Sequence, residues 1–216
     1  MRDGTAAPAR PDGRAARVCL VGLLVANAPR GSGVPRYAAQ LTRALDEVAG
    51  EFPGLHLSLL TTAEGAEVAA PSRLEVVLPG TAFGRLRSAP ARLLAEHLAA
   101  AGRRADLLHF FDLSGPVLRP GRRFTTTVLD ASIAHGFQSV RHAYKRRLYP
   151  WALHRAARVV AISEFAKEEA RRHFGVPAEQ VTVVRPGPGL MTASDGAGPG
   201  RSGAPFLLYV GDLTPK

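Results

Sequence analysis

The chain has 216 residues, 46% of them hydrophobic, and a formal net charge of +10. This hydrophobic content is enough for a buried core and excludes a largely disordered chain. No apolar run reaches the roughly 18 residues of a membrane-spanning helix, and the single cysteine, Cys19, excludes an internal disulfide and a multi-cysteine metal site.

The basic character of the chain has two interpretations. Nearly all the positive charge is arginine, since only three lysines occur, which together with abundant Ala, Gly and Pro is typical of a GC-rich coding sequence. The alternative is a basic surface that attracts an anionic partner. Charge alone, without an aromatic platform motif, does not indicate nucleic-acid binding.

In chain order, residues 1–16 lack an apolar period and predict a disordered leader, with no signal-peptide core. From residue 17 onward, short apolar runs alternate with helical periods. Strands are predicted at 17–25, 55–61, 73–78, 106–110, 124–129, 158–162 and 181–185, and helices at 34–49, 86–101, 144–157 and 163–174. This alternation predicts one α/β domain over 17–186, with a doubly wound, mostly parallel, Rossmann-like sheet.

Three of the predicted helices carry local detail. Leu93, Leu94 and Leu98 predict the apolar face of the helix at 86–101. Pro150 either kinks the helix at 144–157 or starts a new one. Ser163 predicts the N-cap of the helix that ends before Gly175.

The composition changes after residue 186. Residues 187–204 are rich in Gly, Pro, Ser and Ala and predict a linker. Residues 205–216 begin with an apolar run that predicts the first strand of a second domain. Because a lone strand cannot form a domain, the sequence is expected to be cut off where that domain begins.

A glycine-containing loop lies between the first strand and the first helix, and its candidate substrate-binding residues are Gly31, Ser32, Gly33, Arg36 and Tyr37. Glycines let the backbone approach a ligand, and a helix N-terminus offers free N–H groups to a phosphate or a sugar hydroxyl. Arg36 stands where the dinucleotide fingerprint needs its third glycine. The alternative is a turn without a ligand.

Further candidates follow the predicted strand ends, where ligands of open α/β sheets bind. They are polar side chains able to orient a sugar or move a proton: His109 and Asp112, then Asp130 with His135, then Ser163 and Glu164. The alternatives are a solvated strand end, a turn and a helix cap. The histidines show no His-x-x-x-His pair, so no metal site is expected.

A basic stretch from Arg141 to Arg158 is interleaved with Tyr144, Tyr149 and Trp151. Such a pattern could contact anionic lipid at a membrane surface. A solvated helix face is the alternative interpretation.

Three ordered motifs resemble the family 4 retaining glycosyltransferases of the GT-B fold. Gly31–Tyr37 is similar to the family's Gly-Gly-Ile-Gly-Arg-Tyr loop. The segments 158–167, 173–177 and 181–187 resemble the family pattern ADRVITVSEFSK, FGVP and I.VV.NG. Residues 206–216 resemble the first strand and loop of the family's nucleotide-binding domain.

The resemblance implies an N-terminal domain that binds mainly the acceptor, and a missing C-terminal domain that binds a nucleotide-sugar donor. Transfer would retain the anomeric configuration in the cleft between the two domains, without an obligatory metal or another cofactor. Asp130 is the candidate catalytic residue. The family typically has a histidine that contacts the transferred sugar where Leu129 stands. The implied acceptor is a glycan, a lipid or a small molecule, and the implied location is cytoplasmic, with possible peripheral membrane contact.

Two other functions remain as alternatives. A non-catalytic or degenerate transferase-like module is favoured by Leu129 and by the missing domain. A nicotinamide-dependent oxidoreductase is indicated only by the strand–loop–helix opening. It is disfavoured by Arg36 and by Thr61 and Thr62, which stand where an acidic residue would close the second strand.

Overall fold

The computed structural model describes residues 14–23, 25–26, 33–79, 89–113, 123–131, 134 and 143–187, without the side chains of 89–93 and 143–146. The chain divides into two units, Met1–Pro186 and Gly187–Lys216. Nearly all of the predicted leader, and the linker and final strand beyond Gly187, lie outside the described residues. Those predictions therefore stay open.

The core of the domain is a seven-stranded sheet whose paired strands are all parallel. The strands are β1 (Ala16–Val21), β2 (Leu55–Leu60), β3 (Glu75–Val77), β4 (Leu107–Phe110), β5 (Arg123–Val128), β6 (Arg158–Ala161) and β7 (Val181–Val183). Their spatial order is β3-β2-β1-β4-β5-β6-β7. This order confirms the predicted doubly wound, Rossmann-like sheet.

Helices cover the two faces of the sheet. They are α1 (Gly33–Val48), α2 (Ala63–Ala69), α3 (Ala89–Ala101), α4 (Ala143–Arg155) and α5 (Glu164–Phe174). Apolar residues of α1 and α2 form one buried cluster with Leu20, Leu57 and Leu59. Residues of α3, α4 and α5 form the other with alternate strand positions such as Cys19 and Leu108. Burial on both faces explains why most of the strands are apolar runs.

The sequence pattern missed α2 altogether. The side chain of Thr62 accepts a hydrogen bond from the backbone N–H of Gly65 at 3.1 Å and so caps this helix. Ala70 ends it in the left-handed conformation, with φ of 46°. The seven residues Ala-Glu-Gly-Ala-Glu-Val-Ala are too short and too weakly apolar to show a helical period.

The predicted apolar face of α3 is wrong for Leu94 and Leu98, and the side chain of Leu93 lies outside the described residues. Leu94 and Leu98 are 47% and 62% exposed, whereas Glu96 and His97 are 7% and 3% exposed. The buried stripe runs through Glu96, His97 and Ala100, on another side of the helix from Leu94 and Leu98. Helical periodicity predicts that the apolar residues are buried. In α3 it fails because the buried side carries the polar residues Glu96 and His97.

Both α4 and α5 lie where the sequence predicts helices. Pro150 lies inside one continuous helix, α4. Ser163 caps α5 by accepting a hydrogen bond from the N–H of Ala166 at 3.0 Å. Gly175 follows α5 with φ of 67°, a conformation that favours glycine because a side chain there would be strained.

A buried carboxylate, Asp46 on α1, holds the segment that enters β3. It accepts hydrogen bonds from the backbone N–H groups of Ser72, Arg73 and Leu74 and from the Ser72 hydroxyl, at 2.7–2.9 Å. Burial alone would raise the pKa of Asp46, but these donors stabilise the ionised form and lower the pKa to about 2. Asp46 thus fixes the edge strand β3 through the loop before it.

Candidate functional site

The carboxyl ends of β1, β4, β5 and β6 lie side by side along one edge of the sheet. Connections leave β1 toward β2 on one side and β4 toward β5 on the other, so the chain direction across the sheet reverses between β1 and β4. Such a switch point opens a crevice at the carboxyl edge, where open α/β sheets bind ligands. We call this edge between β1 and β6 the carboxyl crevice.

The predicted glycine loop reaches the described part of the chain only at its end. Gly33 is the first residue of α1 and is exposed, and a Cβ built on it meets no atom of the described residues beyond its immediate neighbours within 4 Å. Arg36 is exposed one turn further along, and Tyr37 is partly buried. Gly31 and Ser32 lie outside the described residues, so their predicted role is not tested.

Tyr37 connects α1 to the strands beneath it. Its ring lies edge-on to Phe111 at 6.5 Å between centroids, and Phe111 lies edge-on to His109 at 5.4 Å. The Tyr37 hydroxyl also hydrogen-bonds Thr127, and burial raises the pKa of this hydroxyl. These contacts fix the first turn of α1 over β4 and β5.

His109 lies within β4, on the sheet face beneath α1. Its Nδ1 is 2.8 Å from the Thr125 hydroxyl, and its Nε2 is 3.5 Å from the Thr127 hydroxyl. Burial lowers the pKa of His109 to about 4, so the ring is neutral at pH 7. The structure therefore shows His109 in contact with strand residues beneath the crevice, and its substrate-binding role stays a prediction.

Asp112 follows β4 at the crevice and lies near a second carboxyl group, that of Glu96 on α3. Burial, and to a lesser extent the negative charge of Asp112, raise the pKa of Glu96 to about 8. The Asp112 backbone carbonyl accepts a hydrogen bond from the Thr126 hydroxyl at 2.8 Å, which ties the end of β4 to β5. Sequence reasoning missed Glu96 because one charged residue in a helical stripe is ordinarily assigned to solvent.

Asp130 lies two residues beyond the end of β5 and is exposed. Ser163 lies two residues beyond the end of the next strand, β6, and its hydroxyl caps α5. Glu164, the first residue of α5, is exposed. Adjacent strands are about 5 Å apart, so Asp112, Asp130 and Ser163 follow strands that are neighbours in the crevice. His135 lies outside the described residues.

The basic stretch is only partly described. Arg155 stacks on Trp151 at 4.2 Å from the ring centroid, Tyr149 is buried, and Arg158 donates a hydrogen bond to the Glu179 carbonyl. Arg147 and Arg155 remain exposed on α4. Across the described ranges, no helix is long and apolar enough to cross a membrane.

Within those same ranges, no group of three or more His, Cys, Asp and Glu side chains could hold a metal ion. The carboxyl crevice instead combines exposed carboxylates with the N-termini of α1 and α5. Carboxylates accept hydrogen bonds from hydroxyl groups, and helix N-termini stabilise negative charge. The arrangement suits a polyhydroxylated ligand that carries a phosphate.

Comparison with known proteins matches this region to one family. Residues 31–188 match the model of Glycosyltransferase Family 4, a span that includes every candidate residue of the crevice. No curated protein matches the chain in sequence.

Several solved structures are similar to the chain at low identity. Anabaena HepE in complex with UDP and glucose is 13% identical, with a TM-score of 0.45 over 81% of this chain and 45% of its own. A glycosyltransferase from Rickettsia africae is 13% identical, with a TM-score of 0.43 over 81% and 43%. The glycosyltransferase of kitacinnamycin is 13% identical, with a TM-score of 0.45 over 84% and 54%. The chain thus spans about half the length of these proteins.

Proposed function

The chain belongs to glycosyltransferase family 4, and we propose that it forms the acceptor-side half of a retaining, two-domain GT-B transferase. The reaction proposed is transfer of a sugar from a nucleotide-sugar to a glycan, a lipid or a small-molecule acceptor. A second domain would bind most of the donor, and no metal or cofactor besides the nucleotide-sugar co-substrate is invoked.

One observation supports this function above the others. The start of α1 and the ends of β4, β5 and β6 bring Gly33, Asp112, Asp130 and Glu164 to the same edge of the sheet. All four residues lie in the span matched by the family model. An oxidoreductase is not favoured, because Thr61 follows β2 where an acidic residue would bind a ribose, and its hydroxyl donates to the Gly22 carbonyl at 2.9 Å.

The proposed chemistry divides between the two sides of the crevice. Glycosyl transfer needs donors aimed at the negative charge that develops on the leaving diphosphate. At the N-terminus of α1, Gly33 carries no side chain, and the backbone N–H groups of this first turn would donate to such an anion. Asp130, exposed beyond β5, would accept a hydrogen bond from a sugar hydroxyl and so orient the transferred group.

The environment of Asp112 suits a supporting role. Because the raised pKa of Glu96 keeps that group protonated at pH 7, the neighbouring Asp112 does not face a second full negative charge. In enzyme active sites, the environments of two neighbouring carboxyl groups often push their pKa values apart, so that one is neutral while the other is charged. We assign Asp112 to contact with sugar hydroxyls and Glu96 to positioning of Asp112.

A cytoplasmic location, with peripheral contact to a membrane surface, is the corresponding proposal for the whole protein. Its support is the exposed pair Arg147 and Arg155 on α4, because basic helix faces are attracted to anionic lipid. An enzyme of polysaccharide biosynthesis with a lipid-linked acceptor would benefit from such a contact.

A second candidate function is a degenerate transferase-like module that binds a sugar without transferring it. Leu129 favours it, because the family resemblance places a sugar-contacting histidine at that position. Leu129 is partly buried at the end of β5, and its side chain offers no hydrogen bond to a substrate. The two candidates differ in turnover and not in binding.

Release of nucleoside diphosphate tests the proposal. Across a panel of nucleotide-sugars, we expect no turnover by the 216-residue chain, because the proposal assigns most of the donor binding to a second domain. A two-domain protein that carries the chain as its first half is expected to turn over at least one donor. Turnover by the chain alone would contradict the acceptor-side assignment, and binding without turnover in the two-domain protein would favour the degenerate module.

A further inference from the structure

A second cavity lies at the opposite, amino edge of the sheet, away from the carboxyl crevice. Its volume is about 590 Å³, within the range of pockets that hold small organic ligands. Residues of β1, β2 and β3 form its floor, and the turn from Gly102 to Ala105 between α3 and β4 forms its wall. We call it the amino-edge cavity.

The floor of this cavity is polar where a parallel sheet is ordinarily apolar. The strand β2 reads Leu-His-Leu-Ser-Leu-Leu, so His56 and Ser58 alternate with leucines that enter the core on the other face. The register pairs Arg17 with His56, and Ser58 with Glu75, in rows across the same face. A row of polar side chains on an inner strand indicates a surface that meets a polar partner or solvent rather than a helix.

The wall adds two more arginines. Arg103 and Arg104 belong to the turn, which is held to β1 by reciprocal hydrogen bonds. The Arg17 N–H donates to the Asp106 carboxylate at 2.9 Å, and the Asp106 N–H donates to the Arg17 carbonyl at 2.8 Å. The guanidinium-bearing residues Arg17, Arg103 and Arg104 therefore line one cavity on a fixed backbone frame.

Among the described residues that line the cavity, one carboxylate accompanies these three arginines. Glu75 is the carboxylate among the lining residues, and its Oε2 is 2.9 Å from Nε2 of His56. No ion pair in the described part of the chain involves Arg17, Arg103 or Arg104. The Nε of Arg103 is buried and has no hydrogen-bond partner among the described residues, so it is a donor that an anionic ligand would satisfy.

We propose that the amino-edge cavity binds a small phosphorylated ligand, such as a diphosphate or a sugar phosphate. Guanidinium groups match phosphate oxygens through paired N–H donors, and three of them meet in this cavity. The Ser58 hydroxyl and the Glu75 carboxylate supply hydrogen-bonding groups for the hydroxyls of a sugar. The described part of the cavity lining includes no phenylalanine, tyrosine or tryptophan, so the proposal names a phosphate and a sugar rather than a nucleobase.

Calorimetric titration of the 216-residue chain with inorganic diphosphate, and separately with glucose 1-phosphate, tests this site. We expect saturable binding that weakens as ionic strength rises. Arg104→Gln changes an exposed residue and is expected to weaken the Kd at least about tenfold, the factor that corresponds to roughly 1.4 kcal/mol. Arg103→Lys keeps the charge but loses the paired donors, and is expected to weaken binding less.

Two matched variants separate this site from general charge attraction and from binding in the carboxyl crevice. Arg185→Gln removes the same charge from an exposed position beyond β7, and we expect it to leave binding unchanged. Gly33→Val alters the carboxyl crevice, and the component of binding that Arg104→Gln weakens is expected to persist in it at the wild-type Kd. Absence of saturable binding up to about 10 mM, where a Kd contributes only about 3 kcal/mol, would overturn the site. Equal weakening by Arg104→Gln and Arg185→Gln would overturn it too.

Discussion

Replacing Gly33 with valine in a two-domain protein that carries this chain is expected to lower kcat at least about tenfold, or roughly 1.4 kcal/mol of activation free energy. In the proposed function, the start of α1 approaches the substrate through its backbone. The branched side chain of valine at this position would occupy the space that the ligand needs. We expect the effect to come from the chemistry of the crevice rather than from folding, because a Cβ at Gly33 meets no atom of the described part of the chain within 4 Å.

The backbone at Gly33 also permits the substitution. Of the described residues, only Gly175 among the glycines has a positive φ, so valine at position 33 is not strained by its conformation. Gly54 provides a matched control, since it is exposed, has an equally open Cβ position and lies before β2 at the amino edge. We expect Gly33→Val and Gly54→Val both to keep the wild-type Tm, and only Gly33→Val to lose turnover. Equal turnover in the two variants would mean that the loop is only a turn.

Asp46→Ala is expected to reduce the free energy of unfolding of the chain by about 3 kcal/mol, because hydrogen bonds to a charged group contribute about 1.5–3 kcal/mol each and are not additive. The variant leaves the N–H groups of Ser72, Arg73 and Leu74 without their acceptor. Urea denaturation at pH 7 measures the loss. Glu47→Ala, an exposed neighbour on the same helix, is expected to stay within about 0.5 kcal/mol of wild type.

The same carboxylate gives the stability a defined pH dependence. The folded-state pKa of Asp46 is about 2, below the ordinary value of 3.8. Its contribution is therefore fully present above about pH 4 and is lost as the pH falls through 2. The unfolding free energy of wild type should fall more steeply between pH 4 and pH 2 than that of Asp46→Ala. Parallel curves would show that Asp46 does not stabilise the fold as a charged acceptor.

Features encoded by neighbouring residues could be predicted from the sequence. The α5 cap is such a feature, because Ser163 and Gly175 stand at the two ends of one apolar period, and the structure shows both in their expected roles. The parallel sheet is another, since alternation of strands and helices leaves few ways to cover both faces. Strand ends shifted by up to four residues, as at β1, which ends at Val21 rather than at 25.

Features that depend on contacts distant in sequence could not be predicted. The orientation of α3 buries Glu96 and His97 on the inner side of the helix, and no helical period of apolar residues carries that information. The amino-edge cavity likewise needs Arg17, His56 and Arg103 to converge from three separate segments. In the crevice, the order of elements alone assigns the residues that follow β4, β5 and β6 to one edge of the sheet. The hydrogen bonds of His109 to Thr125 and Thr127 could not be predicted in this way.

The measurement that tests the central claim most directly is nucleoside diphosphate release by the two-domain protein with Asp130→Asn. This change removes the charge beyond β5 and keeps the shape of the side chain. The proposed crevice predicts a fall in kcat with an unchanged Tm, while Glu179→Gln, an exposed carboxylate at the amino edge just before β7, leaves kcat unaltered. A folded Asp130→Asn protein with wild-type kcat would contradict the assignment of the carboxyl crevice as the site of sugar transfer.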